Sequence, residues 1–115
     1  KYEAFCLRPT NARAGDQLRR NHSTQYISVP DWPWHRLRKE HPGVYESYAD
    51  MEAGAWTRVK IVVDGSKAQL YVNGSEQPVL IVNDLKHGES EGAVALWIGQ
   101  GTEAYFSNVK ASARP

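Results

Sequence analysis

A chain of 115 residues, 41% hydrophobic and 23% charged, carries enough apolar side chains for one modest core, which points to a single domain over residues 1–115 and excludes global disorder. A formal net charge of +1 gives no drive toward nucleic acid or a membrane surface, and no apolar run approaches the ~18–20 residues that span a bilayer. The charge is uneven, however: residues 1–39 hold eight Lys or Arg against three Asp or Glu, whereas the rest holds six against ten.

Tyr2 to Arg8 reads as a strand. It contains Cys6, the single cysteine, which rules out an intrachain disulfide and fits a reducing compartment. Its neighbours Ala4, Phe5 and Leu7 make it a buried inert thiol rather than a nucleophile. Pro9 to Asn21 is polar, with Asn11, Gly15 and Asp16, and reads as a long loop. Ser23 to Val29 is extended. Asp31-Trp32-Pro33-Trp34 starts a turn, and a short helical segment is expected over 34–40. Val44 to Tyr48 is another strand.

From Trp56 the pattern sharpens. Over Trp56–Asp64, Val59, Ile61 and Val63 alternate with Arg58 and Lys60, the two-residue period of a half-buried strand with the aliphatic side chains inward. Asp64-Gly65-Ser66 is a tight turn, and Lys67–Asn73 alternates again with Ala68, Leu70 and Val72 inward, so the two runs form a β-hairpin. Asn73-Gly74 turns the chain once more. Pro78–Asn83 is a short apolar strand whose proline belongs at a start or an edge. Asp84–Gly92 is a polar loop. Ala93–Gly99 is apolar throughout, as in a strand covered on both faces, and Glu103–Lys110 is the last strand. Short strands with frequent turn signals make the chain all-β, an antiparallel two-sheet sandwich.

The run "RVKIVVDGSKAQLYVNG" behind Trp56, then an apolar strand, "AVALWIG" and "AYFSNVK", resembles the C-terminal half of concanavalin A-like lectin and glucanase sandwiches, including laminin-G-like domains. The residues from Tyr2 to Ser47 look like a group of bacterial proteins of unassigned role with the same sandwich. The resemblance implies a jelly-roll and says little about activity, because the fold hosts many. It also implies strands ahead of the position matching Tyr2. The chain is therefore expected to be a sandwich shortened at its N-terminus, a fragment, or half of an intertwined homodimer, since open sheet edges pair with other chains.

Three constellations could carry function. Tyr26, Trp32, Trp34, Tyr45 and Tyr48 offer aromatic faces on which sugar rings stack. The competing use of Trp32 and Trp34, capping one end of a small core, is the more economical. Arg8, Arg13, Arg19, Arg20, Arg36 and Arg38, with Asn21 and His22, could fork an anionic ligand such as a uronic acid. The competing use pairs them with Asp16, Asp31, Glu40, Glu46 and Asp50, and is again the more economical. Glu46 and Asp50 are the nearest approach to a glucanase acid pair, but no E-x-D-x-x-E run supports one. The histidines His22, His35, His41 and His87 have no metal-ligand spacing. Calcium has turn residues Asp64, Asn73, Asn83 and Asp84 but no loop motif, so no cofactor or metal is expected.

The expectation is a non-catalytic module that binds a carbohydrate or related polar or anionic ligand through Arg8, Arg20, Tyr26, Trp32, Trp34, Tyr45 and Glu46. A homo-oligomeric assembly protein ranks second and a glycoside hydrolase third. Nucleic acid is not an expected partner.

Overall fold

A computed structural model describes residues 1–112. The chain is β-rich, with two antiparallel three-stranded sheets and, among the described residues, three short helices. The first sheet has the order β1 (Tyr2–Leu7), β2 (Thr24–Val29), β3 (Glu46–Ser47). The second has the order β4 (Val59–Asp64), β5 (Lys67–Val72), β6 (Leu80–Val82).

In the first sheet Phe5 opposes Tyr26 and Leu7 opposes Thr24, which opposes Ser47. Cross-strand partners share a face. That face meets the core: the Phe5 and Tyr26 rings lie 5.9 Å apart, and Tyr26 is 0% exposed. The opposite face carries the row Cys6, Gln25, Glu46. Cys6 is half-buried, and burial pushes its thiol pKa up against a smaller opposing pull from Arg8, which keeps it protonated and unreactive.

The link between β1 and β2 was expected to be loop, yet it holds α1 (Pro9–Ala12) and α2 (Gln17–Arg20). Each is a single turn started by a local device. Pro9 sits in the first turn, where its missing N–H costs nothing. The Asp16 carboxylate accepts the Leu18 N–H at 2.9 Å. The helix α3 (Trp34–Glu40) occupies the expected segment and buries Leu37.

The hairpin of β4 and β5 turns at Gly65, whose φ of +61° suits a residue without Cβ. At the far end Asn73 and Gly74 both adopt positive φ, and Asn73 exchanges hydrogen bonds with Arg58 through its backbone N–H (2.7 Å) and its side-chain oxygen (2.9 Å). Ala68, Leu70 and Val72 are buried with Leu80 and Val82 against Tyr26, Leu37, Tyr45 and Met51.

Three expectations fail here. Val59, Ile61 and Val63 are exposed rather than inward. Ala93–Gly99 and Glu103–Lys110 are not strands; they run as exposed irregular chain, although the turn between them closes with a Thr102 N–H to Gly99 carbonyl bond of 3.0 Å. The strand expected over Val44–Tyr48 shrinks to Glu46–Ser47. The reason is common to all three. Alternation makes a segment able to be a strand, but a strand persists where a neighbour accepts its backbone bonds and a second layer covers its apolar face.

The loop after β6 ties the sheets together. Leu85 N–H donates to the Ser66 carbonyl at 2.8 Å, Lys86 N–H to the Tyr26 hydroxyl at 2.9 Å, and His87 N–H to Glu3 at 2.6 Å. The Lys86 ammonium pairs with Asp84 at 2.9 Å and lies 4.4 Å from the Trp32 ring centre and 5.1 Å from that of Tyr45. Tyr45 donates its hydroxyl to Asp84 at 2.5 Å. Burial raises the Asp84 pKa, but Tyr45 and Lys86 outweigh it, so the carboxyl sits below its ordinary value.

Candidate functional site

A shallow groove of about 280 Å³ is lined by Arg8, Asn11, His22, Trp34 and Arg38, and two members of the row Cys6, Gln25, Glu46 hold its lining from behind: Gln25 bonds Arg8 and the Trp34 carbonyl, and Glu46 bonds Arg38. Strand register places Glu46 beside Gln25, and α3 lies across both. The Gln25 amide donates to the Trp34 carbonyl at 3.5 Å, and Arg38 forks the Glu46 carboxylate, Nε to both oxygens at 3.0 and 3.1 Å and Nη2 to Oε1 at 2.5 Å. Trp34 and Arg38 are four apart on one helix, so they are neighbours on its surface. The Arg38 guanidinium lies 4.8 Å from the Trp34 ring centre, and the indole is still 47% exposed.

Arg8 approaches from the end of β1. Its Nη1 donates to the His22 carbonyl at 2.9 Å and its Nη2 to Gln25 Oε1 at 2.8 Å. Among the described residues its hydrogen-bond partners are neutral, so its charge is held in place without a carboxylate to offset it. Glu46, its side chain 4% exposed, is committed to Arg38, with His22 Nε2 3.6 Å away. The groove is thus a preorganised array of donors beside an aromatic face with a net positive potential. That arrangement suits a flat polar ligand carrying one anionic group. Among the described residues no carboxylate lines the groove; Glu46 lies behind Arg38, which it pairs.

Of the residues singled out from the sequence, Arg8, His22, Trp34, Arg38 and Glu46 come together here. Tyr26 and Tyr45 do not: their rings lie 5.8 Å apart in the core, where their size fills space between the sheets. Burial first of all pushes the Tyr26 pKa up to about 12. Trp32 caps the core beside Lys86 and Arg36, whose guanidinium lies 3.7 Å from its ring centre. Arg20 turns away, donating to the Ala14 carbonyl and to Gln17, both at 2.7 Å, so it braces the turn between α1 and α2. Arg13 pairs with Asp50 at 3.0 Å and Arg36 with Glu40 at 2.6 Å, the structural use weighed above. Asn11 and Gln25, which the sequence did not single out, complete the groove; Gln25 reaches it through strand register and Asn11 through the turn of α1.

A second depression, larger at about 390 Å³ and less open than the first, lies over the second sheet between Arg58, Lys60, Tyr71 and Glu76. Lys60 rests 5.1 Å from the Tyr71 ring centre, and Glu76 offsets part of the charge. Among the described residues no hydrogen-bonded side-chain pair like Arg8–Gln25 or Arg38–Glu46 organises it, so the first is the better-ordered site. Among the described residues no three His, Cys, Asp or Glu side chains gather as a metal ion would require, and no helix is long and apolar enough to cross a membrane. The chain matches no protein-family model, no curated protein and no solved structure.

Proposed function

We propose that the chain is a non-catalytic binding module of the concanavalin A-like, laminin-G-like kind, and that its groove takes a sugar ring bearing a carboxylate. The fold part of this reading is supported by the sequence pattern from Trp56 onward and by two antiparallel sheets around one core. The ligand part rests on one observation: a half-exposed Trp34 and an Arg8 guanidinium whose partners among the described residues are neutral line the same groove. Indole faces stack on the C–H faces of sugars, and guanidinium forks carboxylates.

Calorimetric titration with glucuronate, galacturonate and glucose tests it. The acid sugars bind, glucose binds at least ten times more weakly, and Trp34→Ala and Arg8→Ala each remove binding while leaving the fold intact, a tenfold loss being about 1.4 kcal/mol. Equal binding of glucose, or unchanged binding in both variants, overturns the reading. An assembly role is the second reading, favoured by the exposed apolar row on β4.

A further inference from the structure

The bare row on β4 belongs to the core side of the second sheet. Val59, Ile61 and Val63 are the cross-strand partners of Val72, Leu70 and Ala68, so all six side chains share a face. The β5 members are 0–5% exposed; the β4 members are 42%, 47% and 55% exposed. The inner face therefore runs out from under its cover one strand too early. Among the described residues β4 also ends its sheet, with β5 as its strand partner, so the outer edge of Val59–Val63 offers ladder positions to an added strand.

A second apolar surface is equally bare. Val94, Leu96, Trp97 and Ile98 are exposed, and Tyr105, Phe106 and Val109 follow. Val94, Leu96 and Ile98 repeat with the same two-residue period as Val59, Ile61 and Val63, and Ala93–Ile98 has the six-residue length of β4. The charges are complementary at the β4 start. Arg58 and Lys60 stand just before and on β4, which ends in Asp64, while Glu89, Glu91 and Glu103 flank the apolar run, with no Lys or Arg between Lys86 and Lys110.

From these observations we infer that β4 is a docking edge for a second copy of this chain, with Ala93–Ile98 of each copy added as a strand along β4 of the other. Among the described residues the single chain leaves both surfaces exposed, and the Leu85–Ser66 bond fixes the chain at the β4–β5 turn eight residues ahead of the run. A reciprocal twofold exchange covers both surfaces with one type of contact and closes on itself. It extends the ladder by strand addition and returns Val59, Ile61 and Val63 to an interior. The inference is independent of the ligand groove.

Sedimentation of the full chain from low to high micromolar concentration tests it. The mass rises from one chain to two. Ile61→Lys stays at one chain, and so does Leu96→Lys, which alters an exposed residue and so cannot abolish folding through lost packing. Mixing the two variants restores a dimer, because one of the two docking contacts is then intact on both sides. A single-chain mass at every concentration overturns the inference. So does hydrogen-exchange protection of β4 and Ala93–Ile98 that does not change with concentration, which would mean that the run covers its own β4 or that another partner is needed.

Discussion

Replacing Glu46 by Gln keeps the shape of the side chain and removes its charge. Behind the native groove lining Glu46 is almost fully buried, and its two oxygens accept three Arg38 contacts between 2.5 and 3.1 Å. With Gln, one acceptor becomes an amide that faces the guanidinium, and the cation loses its counter-charge. Breaking a buried pair costs ~3–5 kcal/mol, and a single charge-assisted hydrogen bond is worth ~1.5–3 kcal/mol. Arg38 keeps a third of its side chain in water, which screens part of the loss. The expected cost is therefore about 2 kcal/mol, or a fall in Tm of about 8 °C for a domain of this size. Thermal and urea unfolding followed by circular dichroism measure it, with Arg38→Met and the double variant completing a cycle. The cycle should show a coupling of ~1–2 kcal/mol, since the residues touch. A Tm within about 2 °C of the native protein, or single effects that simply add, would refute the claim that this pair organises the groove. The same variant frees Arg38 for an external anion, so acid-sugar binding should tighten severalfold even as stability falls.

Tyr26 supplies a pH test. Its folded-state pKa of about 12 exceeds the ordinary 10, so between those values the folded chain holds a proton that the unfolded chain has lost. Stability contributed by the neutral phenol is complete below pH ~10 and falls by ~2–3 kcal/mol as pH rises toward ~12; urea midpoints across that range should fall, and Tyr26→Phe should flatten that dependence. The same substitution leaves the Lys86 N–H without its acceptor and should cost about 1 kcal/mol near neutral pH in denaturant titrations. Leu70→Ala, at a fully buried position, should cost ~2–5 kcal/mol in the same assay, whereas Val63→Ala on the exposed row should cost under ~0.5 kcal/mol in the single chain. The Arg13 hydrogen bond holds the Asp50 carboxyl below its ordinary pKa, so Arg13→Ala should raise it toward that value in a carboxyl-carbon NMR titration.

Local patterns in the chain settled those features that depend on neighbours a few residues away. The hairpin around Gly65 follows from alternation on either side of an Asp-Gly turn, and the helix over 34–40 has its two apolar residues, Trp34 and Leu37, three apart behind a proline. Trp34 and Arg38 on one helix face were legible for the same reason. Tertiary structure alone decided which alternating segments became strands, because a ladder partner and a covering layer come from distant parts of the chain. Val59–Asp64 acquired β5 but no cover, and Ala93–Gly99 acquired neither. It also divided the aromatic and arginine sets between structure and site. Tyr26 and Tyr45 went to the core, Trp32 to its rim and Arg20 to a turn, while Arg8 met Trp34 over Glu46 only because antiparallel register set Cys6, Gln25 and Glu46 in one row. Residue type sets what a side chain can bind; the pairing of strands far apart in sequence sets what it stands beside.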